Sequence, residues 1–146
     1  MILHEKRLAG VDIRVVACIE SLAEKVKRLM NRDLIIVFGY RSVDEQNKLY
    51  EQGRSLPGNI VTNARGGKSP HNYYCAIDAW VMNEDGISID WANSTFKNIA
   101  RDHALTCYDK IQWGGDFQTI VDMPHWELKK WRAVRDGYEK IIPNTI

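Results

Sequence analysis

Between Asp12 and Met30, apolar residues recur at steps of three and four: Val15, Val16, Ile19, Leu22, Ala23, Val26, Leu29 and Met30 share one face, opposite Glu20, Glu24, Lys25, Lys27 and Arg28. That spacing predicts an amphipathic helix. Leu34 to Phe38 is a short apolar run with two isoleucines and a valine, closed by Gly39, and predicts a buried strand. Ser42 and Glu45 then have the S-x-x-E spacing of a capping box, opening a helix that runs to about Gln52 and stops at Gly53. From Gly53 to Pro70 the composition is that of a loop, with four glycines, two prolines, two asparagines and two serines. A loop this long in a small domain is usually functional.

The pattern switches to alternation at Tyr74 to Met82. Tyr74, Ala76, Asp78, Trp80 and Met82 fall on one face, and Cys75, Ile77, Ala79 and Val81 on the other, so a strand with a carboxylate in mid-run is predicted. Asn83 to Gly86 reads as a turn, Ser94 to Leu105 as a helix, Ile111 to Trp113 and His125 to Leu128 as short strands, and Lys130 to Lys140 as a terminal helix. No repeat, low-complexity tract or composition break interrupts the chain. With 146 residues, 45% hydrophobic and 27% charged, it fits one domain that buries roughly 68–70% of its unfolded surface.

Charge and cysteines narrow the partners. Twenty Lys and Arg against nineteen Asp and Glu give a formal charge of +1, so the basic footprint of a nucleic-acid binder is missing. The first sixteen residues carry no apolar signal-peptide core, and no stretch of 18 apolar residues follows, so neither a signal peptide nor membrane insertion is expected. Cys18, Cys75 and Cys107 are widely spaced with no CxxC pair, and read as free thiols made in a reducing compartment.

The chemistry concentrates in two segments, Ser69-Pro70-His71 through Asp78 and Asp122-Met123-Pro124-His125-Trp126-Glu127. Each sets an imidazole close to a carboxylate. A catalytic zinc takes three protein ligands of this type and keeps one position open for water, and His71, Asp78 and His125 supply such a set. A further carboxylate must then move the water's proton to the leaving group, and Asp122 is the candidate. Pro124 holds Met123 extended, which keeps Asp122 and His125 off a common helix. An imidazole beside a carboxylate also occurs as a surface or core pair, so the residues alone leave both readings open. Asp78 is the hardest to place otherwise, since a carboxylate inside an apolar strand is costly unless paired or metal-bound. His4 and His103, on a terminus and a polar helical stretch, are read as non-ligands.

Taken together, Gly39-Tyr40-Arg41-Ser42, Gln46, Leu49, Tyr50, Gln52-Gly53-Arg54, Ile60 to Ala64, Ser69-x-His71 through Ala76-x-Asp78, Trp113 to Phe117 and Asp122-x-Pro124-His125-Trp126-Glu127 resemble the VanY-like zinc peptidases. The nearest branch is the L-alanyl-D-glutamate endopeptidases used as phage endolysins. The likeness covers about residues 8 to 130, with 131–146 as an extension and no separate wall-binding domain. It implies a small α+β domain, an antiparallel sheet flanked by helices, with one Zn2+ per chain in a cleft on the sheet. His71, Asp78 and His125 would hold the metal, Asp122 would be the general base, and Arg41 would bind a substrate carbonyl or carboxylate and stabilise the oxyanion. Ser69 and Tyr74 would contact substrate. Two positions depart from the family pattern: Tyr74 stands where it has glycine, which raises the prospect of a narrowed cleft or an altered backbone there, and Phe38 stands where a small or polar residue is usual.

The function so implied is hydrolysis of the L-Ala-D-Glu bond of peptidoglycan stem peptides by a monomer made in a host cytoplasm and released to the wall by a holin. A D-Ala-D-Ala carboxypeptidase and a non-catalytic zinc-stabilised wall-binding domain are the alternatives.

Overall fold

The computed structural model describes residues 1–107 and 109–145. Five strands form one sheet in the order β1-β2-β3-β5-β4: β1 (Ile2–Leu3), β2 (Leu34–Phe38), β3 (Ala76–Val81), β4 (Ile111–Trp113) and β5 (His125–Leu128). Only β1 runs parallel to its neighbour, and the remaining pairings are antiparallel. The helices are α1 (Ile13–Met30), α2 (Val43–Glu51), α3 (Ser94–Ala104) and α4 (Trp131–Arg135). The fold is thus the small α+β domain expected, with a mostly antiparallel sheet.

Helix α1 begins where Asp12 accepts a hydrogen bond from the Arg14 amide, and it buries Val15, Val16, Ile19, Leu22, Ala23 and Val26 of the stripe its spacing predicts, while Met30 is partly buried and Leu29 is exposed. Across β3, β5 and β4, Ile77 pairs with Trp126 and Trp126 with Trp113, giving one apolar face. That face meets α1 and α3, with the Trp126 ring 5.8 Å from His103. Directly opposed residues project on the same side of a sheet. The other face therefore carries Asp78 opposite His125, and Glu127 opposite Gln112. The site is built on this polar face.

Three expectations are corrected. Cys18 and Cys107 are joined in a disulfide, their Cα atoms 5.9 Å apart, so among the cysteines only Cys75 is free. Packing of α1 on α3 brings them together, and a sequence separation of 89 gives no sign of it. His103 does not lie on a polar surface: it is buried, and its Nε2 donates to the Cys18 carbonyl at 2.8 Å. The terminal helix covers only Trp131–Arg135, because the chain turns at Gly137 with φ 81°. Beyond it, residues 141–144 fold back on the start of the domain: Ile142 donates to the buried Asp12 carboxylate at 2.9 Å, and Asn144 and Val11 share a backbone hydrogen bond.

Candidate metal centre

Three elements converge on the polar face. His71 sits in a 3-10 turn, Pro70–Tyr73, whose start is fixed by Ser69, since the Ser69 hydroxyl accepts from the His71 amide at 3.3 Å and Asn72 closes the reciprocal cap. Asp78 and His125 are neighbours in the β3–β5 ladder. His71 Nε2 lies 3.2 Å from both Asp78 Oδ1 and His125 Nδ1, and the latter two are 2.9 Å apart. Ligands about 2.0–2.2 Å from a tetrahedral zinc stand roughly 3.3–3.6 Å from one another. Three donors at 2.9–3.2 Å thus form a slightly contracted triangle that a divalent ion would open by a few tenths of an ångström. The residues fit a metal of the zinc type.

The outer hydrogen bonds select the tautomers. His71 Nδ1 donates to the Gly39 carbonyl at 2.7 Å, leaving Nε2 a free lone pair toward the triangle. His125 Nε2 donates to Glu127 Oε1 at 2.7 Å, leaving Nδ1 free in the same way. Glu127 is buried, and its other oxygen accepts from Gln112 Nε2 at 2.7 Å. Glycine is required at 39 because an added Cβ would stand 1.8 Å from the Arg7 carbonyl. Gly114 plays the same part for Asp122: the Asp122 amide donates to its carbonyl at 2.9 Å, and a Cβ there would lie 2.2 Å from the Asp122 oxygen.

Electrostatics follow from this crowding. Burial opposes ionisation of Asp78, but the His71 and His125 rings outweigh it and hold its carboxyl far below the usual range. Burial likewise opposes the His125 cation, yet hydrogen bonds to Asp78 and Glu127 raise its pKa to about 10 when no metal is bound. Asp122 is shifted upward, first by burial and then by the Asp78 charge, with His125, His71 and Arg41 pulling the other way. A carboxylate of raised basicity beside three ligands suits a general base. Arg41 is 7% exposed, donates to Gln46 Oε1 at 2.8 Å and lies over the Phe38 ring at 4.3 Å. Its Nε is buried without a hydrogen-bond partner, while its terminal nitrogen lies 3.9 Å from Asp78 Oδ2 and the residue lines the same cavity as the ligands.

Ser69 also lines that cavity, besides capping the turn. Tyr74 does not. Its backbone keeps the left-handed conformation that glycine favours, φ 60°, and its ring turns away to stack on Tyr40 at 4.0 Å and against Gly10. The substitution therefore leaves the cleft unnarrowed, and Tyr74 is withdrawn as a substrate contact. Phe38 is half-exposed at the cleft's edge, under Arg41. Two residues that the sequence placed only within the family motifs, with no role, complete the site. The role of Glu127 could have been found from its place two positions after His125, on the same face of a strand. Gln46, fully buried beneath Arg41 and bonded to the Ala64 carbonyl at 2.9 Å, gave no comparable signal.

Fold and site together define an α+β domain whose open cleft holds two histidines and one aspartate placed to take a metal ion. The chain belongs to the VanY family, described as D-alanyl-D-alanine carboxypeptidase, whose model matches residues 10–115. That match covers His71 and Asp78 and stops short of Asp122 and His125, which the fold brings to the same place. The peptidoglycan L-alanyl-D-glutamate endopeptidase CwlK of Bacillus subtilis (strain 168) is 42% identical over 108 residues, which is 66% of this chain and 60% of that protein. Among solved structures, the Serratia marcescens L-Ala D-Glu endopeptidase ChiX superposes with a TM-score of 0.62 at 24% identity over 95% of each chain. The L,D-carboxypeptidase DacB from Streptococcus pneumonia gives 0.55 at 18% identity, over 94% of this chain and 81% of that one. Both share the fold.

Proposed function

We propose that the protein is a zinc-dependent peptidoglycan endopeptidase that hydrolyses the L-Ala-D-Glu bond of the stem peptide. The observation that carries this reading is the donor triangle of His71, Asp78 and His125, with each imidazole tautomer fixed from outside and the free lone pairs turned to one point. Family membership and the likeness to CwlK support it. Zinc bound there would act as a Lewis acid and lower the pKa of water to about 7. Asp122 takes the proton from the attacking water and passes it to the leaving amine. Arg41, which lines the same cavity, offers its guanidinium to the carbonyl oxygen as negative charge develops. A spare carboxylate of raised pKa beside the ligands has no use in a purely structural zinc site, which weighs against a non-catalytic wall-binding domain. The finer role, a phage lysin that a holin releases to the wall, is supported by the motif resemblance alone.

The test is digestion of purified peptidoglycan by the zinc-loaded protein, with new termini identified by mass spectrometry. New N-terminal D-Glu is expected. Release of D-Ala without it would assign a D-Ala-D-Ala carboxypeptidase instead. Intact wall after incubation with fully loaded protein would favour the binding domain. Asp122→Ala should retain zinc and fold while losing nearly all hydrolysis.

A further inference from the structure

Two cavities join at the metal centre. One, about 490 Å³, holds the three ligands and Arg41; the other, about 660 Å³, extends past Ile60 and Ile120 to Arg132. Thr62, Lys68, Asp122 and Glu127 line both, so the cleft is a continuous groove with Asp122 and Lys68 at the junction. Arg41 belongs to the first cavity only, and Arg132 to the second only.

This arrangement gives a bound peptide a direction. The acyl carbonyl must lie near the Arg41 guanidinium in the first cavity, and the leaving amine must lie within reach of Asp122. The residue beyond that amine then enters the second cavity, past Lys68. On the reading above that residue is a glutamate. Whichever of its two carboxyls continues the chain, the other remains as a free anion. A free carboxylate that leaves water needs a cationic partner to offset its desolvation, and two cations stand along this part of the groove. Lys68 is exposed, and its ammonium forms no salt bridge among the described residues. Arg132 lays its guanidinium over the Trp131 ring at 4.5 Å, which fixes the plane and leaves its N–H edge for a planar acceptor.

We propose that Lys68 and Arg132 bind the free carboxylate of the residue on the leaving-amine side, and that they make the enzyme select a glutamate acid there over its amide. The inference rests on the peptidase reading. Its test uses two synthetic peptides containing L-Ala-D-Glu, one with the free glutamate carboxyl ionised and one with it converted to the primary amide. The zinc-loaded protein should cleave the acid with a kcat/KM at least about tenfold higher, the ratio expected when a charge-assisted contact is lost. Lys68→Ala and Arg132→Ala should each shrink that preference, chiefly through KM on the acid peptide. Lys68→Arg should preserve it, and Lys68→Glu should turn it toward the amide. Equal cleavage of both peptides by the parent protein would overturn the proposal while leaving the peptidase reading intact, and so would a Lys68→Glu variant with the parent's preference. Cleavage of neither peptide would overturn both.

Discussion

Replacing Glu127 by glutamine changes one oxygen to nitrogen and should cost the protein most of its hold on the metal. Glu127 accepts at both oxygens, from His125 Nε2 at 2.7 Å and from Gln112 Nε2 at 2.7 Å. A glutamine offers one acceptor and one donor. With its oxygen toward His125, its amide nitrogen faces the Gln112 donor, and the part-buried Gln112 amide must flip to present its oxygen instead. With its oxygen toward Gln112, its nitrogen faces His125 Nε2 and favours the tautomer protonated at Nδ1, the atom that must be bare to bind metal. Either orientation also trades a charge-assisted hydrogen bond for a neutral one of about half its strength. Loss of such an outer partner lowers metal affinity by roughly 10- to 100-fold, or about 1.4–2.7 kcal/mol. Titration of the apo-protein with zinc against a competing chelator reads the change, and near-UV circular dichroism checks the fold. A folded Glu127→Gln protein whose zinc affinity stayed within about threefold of the parent's would refute this account of how His125 is oriented.

Three further outcomes are expected. In the metal-free protein Asp122 is shifted upward by burial and by Asp78, so its protonation midpoint, followed by NMR, should lie above the ordinary carboxylate range and should fall when zinc adds its positive charge; a midpoint that zinc leaves unmoved would contradict this. At pH 8 the metal-free His125 carries a proton, with its pKa raised to about 10, so zinc uptake should release about one proton, seen as buffer-dependent heats in calorimetry; identical heats in buffers of different ionisation enthalpy would count against it. Reducing the Cys18–Cys107 bond, which closes a separation of 89 residues, should lower Tm and cost about 2–5 kcal/mol, while Cys18→Ala should make the Tm insensitive to reductant.

Local pattern was enough to place α1, α2, β2 and β3 within a residue or two: α1 and β3 by their periodicity, β2 as an apolar run, and α2 by its Ser42 cap, since Gln46 is its one buried residue. Asp78 was legible for a physical reason, a charge in the middle of an apolar strand. His71, His125 and Asp122 were legible as residue types, but only the β3–β5 register sets Asp78 beside His125. Long-range packing was not legible. The Cys18–Cys107 pairing and the burial of His103 depend on how α1 meets α3, which no local pattern records. The left-handed backbone at Tyr74 was legible only as the place of a family glycine: the turn after His71 dictates it, and the Tyr40 stack accommodates the ring.

The tie between Asp12 and residue 142 bears on the order in which the molecule is completed. A nascent chain presents its N-terminal helix first, yet the carboxylate that starts that helix ends up buried, with one of its partners 130 positions later. Until that partner has been synthesised, Asp12 has only Arg14 to meet it. The metal ligands are likewise incomplete before His125 has emerged. The closing segment thus stands apart from the scaffold, and a chain truncated after residue 130 would keep all three ligands but leave its first helix unsealed.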